Sequence, residues 1–320
     1  MKLQLGFLSI GWRVACVLLT PQMGYAADVF LSPRLSLHMG YENNRYSTSS
    51  SLTNTEGAAF FSATPALGLH VLSDKGSELT LGGSITRIDY LDSDFEYREG
   101  GEVHAEWFQS AAPFEGSLRV AGGYSSDAAV PEDDLRWLAV LPTLTYALPA
   151  PHWEWSAQAY LGWTDYDTRL TYDGDAQSDI AGEFSTGLHW LPTVQLTLWS
   201  TLYVEGNHSN EESSRYQGAG VGLGASYWTS PRGQLSALIR GGIRTYPEVQ
   251  DESGLWLERN DTPLNAEISY THRLAPWLDF FCSGSWQASG SDQPENDVDS
   301  WSLRVGVLFA QDYEIGSTEP

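Results

Sequence analysis

Residues 193–205, TVQLTLWSTLYVE, alternate between apolar and polar side chains almost without interruption. One side of this stretch is apolar and carries Val194, Leu196, Leu198, Leu202 and Val204. The other side is polar and carries Gln195, Thr197, Thr201 and Glu205. Because successive side chains of a β-strand point to opposite faces, the pattern predicts a strand with one face in an apolar environment and the other in water.

The same alternation recurs along the whole chain. It is clear in PRLSLHMGY (33–41), WEWSAQAYLGW (153–163), LNAEISYTHRL (264–274) and WSLRVGVLF (301–309). In ITRIDYL (85–91) it slips near Thr86, which we interpret as a β-bulge. Counting all such segments predicts about 14 strands.

The segments between these strands alternate in length. Tight turns are predicted at 73–76, 111–116, 149–152, 191–194, 230–233 and 275–277. Longer polar loops are predicted at 44–57, 91–96, 125–134, 171–179, 207–214, 247–261 and 289–300. The loop at 247–261 is long enough to fold inward with Leu255 and Trp256 at its tip. This arrangement predicts a single all-β, up-and-down antiparallel transmembrane barrel with short periplasmic turns and longer extracellular loops.

A soluble β-sandwich or β-propeller is the alternative for a chain of alternating strands and turns. Two features favour the membrane barrel. Many of the alternating apolar positions are Ala, Gly or Trp rather than the large branched residues of a sandwich core. Aromatic residues near the predicted strand ends suit the girdles of a membrane barrel: Tyr41, Trp107, Trp153, Trp163, Trp190, Tyr227, Trp228, Trp277 and Trp301.

The first 27 residues have the pattern of an export signal. Lys2 and Arg13 give a positive start, an apolar run VACVLLT follows, and PQMGYAA ends in small residues. We predict cleavage after Ala27, with Ala26 as the alternative, so that residues 1–27 form a signal peptide and 28–320 the barrel. The apolar run is too short for a membrane-spanning helix. Cys16 leaves a lipoprotein signal as a further alternative.

Charge and cysteine content exclude several classes of function. The chain has 17 Lys and Arg against 41 Asp and Glu, a net charge of -24, which argues against binding to nucleic acid. After the signal only Cys282 remains, so neither an internal disulfide nor a cysteine-based metal site can form. No cofactor is expected.

Over its mature length the chain resembles the outer-membrane β-barrels of Gram-negative bacteria. MGYENNRYSTSS (39–50), followed by TPALGLHVLSDKGSELTLGGS (64–84), resembles the β-barrel porins of exopolysaccharide gene clusters. It is also similar to the barrel half of surface lipoprotein assembly modifiers, although the helical repeats of that family are missing from this sequence. The resemblance implies location in the outer membrane, in contact with its lipid and lipopolysaccharide.

Charged residues on the polar faces of the predicted strands are the candidate pore-lining residues. The basic set is Arg34, Arg240, Arg244, Arg273 and Arg304. The acidic set is Glu78, Glu102, Glu106, Glu154, Glu183 and Glu205. Their order along the chain predicts an arginine wall opposite a carboxylate wall, with a transverse field across the lumen. Alternatively, the charges neutralise one another or plug a narrow barrel, and Glu267 and Asp279 break the division.

Four glycines in GAGVGLGAS, at positions 218, 220, 222 and 224, occupy every second residue. They predict a stretch of lumen wall without side chains, or else a strongly bent strand.

These features predict a channel for passive diffusion of small hydrophilic solutes or of a saccharide chain. An accessory barrel for secretion or surface assembly of a polysaccharide or lipoprotein is the first alternative. An outer-membrane hydrolase with a site at the extracellular rim is the second. We expect no enzyme activity, because no GxSxG motif is present and the histidines are scattered over separate strands.

Overall fold

The computed structural model describes residues 27–43, 57–73, 76–91, 97–171, 174–250, 256–293 and 297–317. The predicted signal peptide lies almost wholly outside them. The first seven strands are β1 (Ala27–Glu42), β2 (Ala58–Ser73), β3 (Ser77–Tyr90), β4 (Tyr97–Ala111), β5 (Phe114–Asp127), β6 (Leu135–Ala147) and β7 (Trp153–Leu170). The others are β8 (Ala176–Thr193), β9 (Leu196–Ser209), β10 (Tyr216–Ser230), β11 (Gly233–Gln250), β12 (Trp256–Ala275), β13 (Leu278–Ser291), β14 (Val298–Ala310) and β15 (Tyr313–Ser317).

Strands β1 to β14 form one closed antiparallel barrel. Each strand pairs with its neighbours in the sequence, and β14 pairs with β1 from Arg34↔Ala310 to Glu42↔Ser302. Closure leaves no free edge among these strands, so their backbone groups are paired around the circumference. The predicted up-and-down barrel of about 14 strands is therefore confirmed.

The short strand β15 continues the path of β14 along the start of β1. It pairs from Asp28↔Ser317 to Leu31↔Tyr313, after a break at Gln311 and Asp312. Opposite this break the Ser32 hydroxyl donates a hydrogen bond to the Asp312 carboxylate. The seam between the first and last strands is thus held by backbone pairing on both sides of the break.

The predicted alternation of connectors is confirmed, but strands reach further into the loops than expected. Five-residue or shorter turns join the strands at one end of the barrel, which we call the turn end; the opposite end is the loop end. At the loop end β11 runs to Gln250, which pairs with Trp256 at the start of β12. Residues 247–250 and 256–261 are therefore strand rather than loop, and the tip of the predicted loop, residues 251–255 with Leu255, lies outside the described residues. Within the described ranges, no helix is long and apolar enough to span a bilayer.

The outer face of the barrel is apolar. Among the described residues few apolar side chains are buried: Ala58, Phe60, Tyr90, Ala121, Ala139 and Tyr203. Large apolar side chains more than half exposed occur instead around the barrel: Leu67, Ile85, Val103, Leu161, Leu202 and Ile243. A water-soluble sandwich would bury such residues, whereas a lipid-facing surface exposes them.

Aromatic pairs border this apolar surface at both ends. Trp153 stacks on Trp190 near the turn end, with ring centroids 5.9 Å apart, and Tyr41 stacks on Trp301 near the loop end at 5.1 Å. On β7, Trp153 and Trp163 lie about 26 Å apart along the barrel axis at ~3.4 Å per residue and a ~40° tilt, close to the height of a membrane barrel's apolar band. Trp228 differs from the prediction because its pairing with Gln234 places it on the inner face.

The irregular alternation in 85–91 does not come from a bulge. The register of β3 with β2 is the same on either side of Thr86, and the pairing of β3 with β4 runs through Thr86 without a shift. Here the polar side chains Arg87 and Asp89 share the outer face with Ile85, and Tyr90 is buried against Phe60 inside. Here the outer face is polar and the inner face apolar, because this part of β3 lies near the loop end, beyond the apolar surface.

Candidate functional site

The inside of the barrel is identified by a contact that spans four strands. Arg240 on β11 donates a hydrogen bond to Glu183 on β8, with Nη2 and Oε2 2.6 Å apart. In a flat sheet these two strands would lie about 14 Å apart, since neighbouring strands are ~4.8 Å apart. Side chains close such a gap only on the concave side of a curved sheet. The face that carries Arg240 and Glu183 is therefore the inner face.

All eleven charged residues predicted for the lumen share this inner face when the pairing is followed from strand to strand. They are Arg34, Glu78, Glu102, Glu106, Glu154, Glu183, Glu205, Arg240, Arg244, Arg273 and Arg304. What the structure adds at once is which of them contact one another.

Two of the arginines pair with members of the acidic set. Besides the contact between Arg240 and Glu183, Arg244 donates two hydrogen bonds to Glu205, Nε to Oε1 at 2.9 Å and Nη2 to Oε2 at 3.0 Å. Arg273 pairs with Asp279 on the neighbouring strand at 3.2 Å. The expectation of two fully separated walls is therefore wrong for Arg240 and Arg244, because curvature brings β8 and β9 within side-chain reach of β11.

The other predicted charges are divided between pairs and unpaired groups. Glu78 contacts His70 at 3.0 Å, and Glu102 accepts a hydrogen bond from Arg119. Within the described residues, four of the predicted residues form no ion pair: Arg34, Arg304, Glu106 and Glu154. The two free arginines lie on β1 and β14, the strands that close the barrel, and the two free glutamates lie on β4 and β7. Among these four residues, the positive and negative charges still lie on different strands.

The glycine-rich strand β10 does not provide a bare wall. A Cβ at Gly224 would lie 2.1 Å from the Trp199 ring, and one at Gly220 would lie 2.4 Å from the Tyr203 hydroxyl oxygen. Side chains from β9 thus lie across the space that the missing Cβ atoms leave. The expectation of a wall free of side chains is wrong, and the glycines instead make room for two aromatic rings.

Arg240 and Arg244 also each lie on a tyrosine ring. The guanidinium carbon of Arg240 is 3.6 Å from the centroid of Tyr203, and that of Arg244 is 4.8 Å from Tyr216. Tyr203 is only 6% exposed, because Arg240 covers it from the lumen side. A ring beneath a guanidinium contributes a cation–π attraction and fixes the plane of the cation.

A third unit of the same kind lies closer to the loop end. The Arg259 guanidinium is 3.7 Å from the centroid of Tyr246, and its Nε lies 3.2 Å from an Asp261 oxygen. Sequence reasoning missed Arg259, Arg119 and the tyrosines. The alternation within 256–275 could have placed Arg259 inside, but no pattern in the sequence pairs a tyrosine on β9 with an arginine on β11.

The wall formed by β12 to β14 is open to water. Four polar inner-face residues in the middle of these strands are exposed: Glu267, Ser285, Gln287 and Arg304. By contrast, the inner face of β2 near the loop end is packed, with Phe60 2% and Ser62 0% exposed. His38 lies beside this packed region, in edge contact with Phe60 and Phe281. The lumen is therefore filled on one side and solvent-filled on the other.

One hydrogen-bonded serine–histidine pair lies away from the loop end. Ser156 and His189 are hydrogen-bonded at 2.9 Å, but they lie near the turn end, and His189 stacks on Trp199. Within the described residues no carboxylate is hydrogen-bonded to His189, so a catalytic triad is not formed there. Across all the described residues, no three His, Cys, Asp or Glu side chains are grouped so as to hold a metal ion.

Solved outer-membrane channels are among the structures similar to this chain. An anion-selective porin from Comamonas acidovorans is 11% identical with a TM-score of 0.47, and the match covers 89% of this chain and 100% of that chain. The outer membrane channel DcaP of Acinetobacter baumannii is 10% identical with a TM-score of 0.47, and the match covers 91% of this chain and 99% of that chain. OccAB3 of the same organism is 9% identical with a TM-score of 0.43, and the match covers 90% of this chain and 99% of that chain.

No protein-family model matches the sequence, and no curated protein matches it.

Proposed function

We propose that the protein is an outer-membrane channel through which small hydrophilic solutes, or a saccharide chain, diffuse passively. The observation that carries the proposal is the exposure of polar inner-face residues in mid-strand, such as Ser285, Gln287 and Arg304. Barrels of about 8 strands are filled by side chains, whereas those of 16–18 strands leave an aqueous channel. A barrel of intermediate size with one packed wall and one solvated wall suits a pore of modest width.

Charge inside such a pore acts on solutes in two ways. The pairs Arg240–Glu183 and Arg244–Glu205 offer dipoles but little net charge to a passing solute. Among the described residues, Arg34 and Arg304 on one side, Glu267 near them on β12, and Glu106 and Glu154 on other strands form no ion pair and contribute to the remaining field. In a narrow lumen with apolar walls behind it this field is focused, so that it orients polar solutes and biases the passage of ions.

The surroundings of the barrel follow from its outer face. The apolar surface and its aromatic borders suit a bilayer, and a closed barrel satisfies every backbone group there. Export by a signal peptide within residues 1–27 would deliver the chain to the outer membrane. The loop end would then face the lipopolysaccharide and the turn end the periplasm.

Reconstitution in planar bilayers tests the channel directly. We expect discrete current steps that grow linearly with voltage when the purified, folded protein is added. Heat-modifiable migration in electrophoresis reports folding of the same sample. A folded preparation that carries no current would overturn the channel function and favour the accessory or assembly role.

A further inference from the structure

The inner wall of β8 to β11 repeats one arrangement twice. In each unit a carboxylate binds an arginine, and that arginine lies on a tyrosine ring. The units are Glu183–Arg240–Tyr203 and Glu205–Arg244–Tyr216. Both arginine side chains remain 31% exposed, so the units are partly covered but open to the lumen.

Arginine donors remain available in both units. A carboxylate acceptor remains available mainly in the first unit, because Glu205 in the second is 9% exposed and uses both oxygens for Arg244. A guanidinium has five N–H donors, of which Arg240 uses one and Arg244 two for the carboxylate. A carboxylate has about four acceptor sites, so Glu183 retains acceptor capacity after binding Arg240. Donors and acceptors therefore lie side by side on a surface of nearly zero net charge.

This combination suits a neutral ligand with many hydroxyl groups. Each hydroxyl both donates and accepts, so two adjacent hydroxyls match one arginine N–H and one carboxylate oxygen. A charged solute fits less well, because it must compete with the partner charge that is already bound. Breaking such a pair leaves a partly buried charge uncompensated, which is costly.

The two units are spaced for an elongated ligand. Arg240 and Arg244 lie on one strand about 14 Å apart at ~3.4 Å per residue, and between them the Tyr203 hydroxyl lies against Gly242. A linear ligand of two to three sugar rings is long enough to contact both units, whereas a single ring contacts only one.

We propose that Glu183, Arg240 and Tyr203, together with Glu205, Arg244 and Tyr216, form a lumen subsite for a neutral linear saccharide. This inference rests on the proposed channel function and names a solute class for it. Binding at two units predicts that an oligosaccharide binds more tightly than a monosaccharide, because the second contact becomes intramolecular.

Binding to the detergent-solubilised full chain, measured by calorimetry, tests the subsite without relying on current. The probes are maltotriose, glucose and the anion glucuronate. We expect maltotriose to bind most tightly. The paired variant R244Q/E205Q removes both charges together, and it is expected to weaken maltotriose binding about tenfold through loss of charge-assisted hydrogen bonds. The control R87Q/D89N removes an exposed pair on the outer face, 2.9 Å apart, and is expected to leave binding unchanged.

A second variant, R240Q/E183Q, tests the other unit if the first variant fails to fold. Heat-modifiable migration in electrophoresis reports whether each variant is folded. Tighter binding of glucuronate than of maltotriose would overturn the proposal, as would unchanged binding in both folded variants. A wild-type protein that conducts but does not bind maltotriose overturns the subsite and leaves the channel intact. A protein that binds maltotriose but carries no current supports the subsite and contradicts the channel.

Discussion

Arg244 on β11 and Glu205 on β9 form a two-pronged salt bridge across Gly218 of the strand between them. A Cβ at Gly218 would lie 3.1 Å from the Cγ atoms of both partners, so the glycine leaves room for the bridge. Glu205 is 9% exposed and Arg244 31%, so the pair is only partly screened by water. This one contact joins three strands and neutralises two charges that the sequence predicted to lie on opposite walls.

Removing one partner of this salt bridge should lower the free energy of unfolding more than removing both partners. We expect R244A to lower the free energy of unfolding by about 2 kcal/mol or more, because the Glu205 carboxylate is left without its partner. The double variant R244A/E205A should recover part of that loss. Urea unfolding in lipid vesicles measures the two values, and purely additive effects would show that the bridge does not contribute.

Arg304, which forms no ion pair with any described residue, should influence ion selectivity. We expect R304E to shift the reversal potential towards cations in a salt gradient, because it exchanges an exposed positive charge on the inner face for a negative one. The control R87E makes the same change of charge on the outer face near the loop end. Equal reversal potentials for wild type and R304E would place Arg304 outside the ion path.

Arginine substitutions should distinguish the two faces of the barrel. Leu303 on the outer face of β14 is 55% exposed, and Ser285 on β13 is an exposed inner-face residue. We expect L303R to destabilise the barrel in vesicles by about 2 to 4 kcal/mol, as a charge facing lipid does, and S285R to have a much smaller effect. Equal losses of unfolding free energy in L303R and S285R, measured with urea, would contradict the assignment of the faces.

Gly224 should tolerate a side chain only when Trp199 is shortened. The three atoms nearest to an added Cβ all belong to the Trp199 ring, the nearest at 2.1 Å. We expect G224A to cost about 1 to 3 kcal/mol of unfolding free energy through overpacking, and to cost little in a W199L background. G182A is the control, because the nearest atom to its Cβ would be a backbone oxygen at 3.7 Å. A similar cost in both backgrounds would exclude the ring contact as the cause.

Most of the fold could be predicted because strand alternation is a local property. The stretch 193–205 alternates because each of its residues must face either an apolar environment or water, and that requirement is visible residue by residue. Alternation of short and long connectors then indicates strands that run up and down. Predicted loop boundaries were less accurate, since residues 247–250 and 256–261 were expected in a loop and belong to strands.

The candidate site was predicted less completely. The inner face of Arg240, Glu183 and the other charged residues follows from the same alternation. Their partners do not, because Arg240 and Glu183 are separated by two strands and meet only through the curvature of the sheet. The same holds for Trp199 and Gly224, whose fit depends on the register between β9 and β10.

The amino-acid sequence by itself determined the strands, their faces and their order, because side-chain periodicity and turn chemistry act within a few residues. Only the tertiary structure decided that Arg244 binds Glu205, that tyrosines lie beneath the arginines, and that one wall is packed while the other is solvated. Those features arise from closing the sheet, which sets how far strands curve towards one another, and no local pattern records that distance.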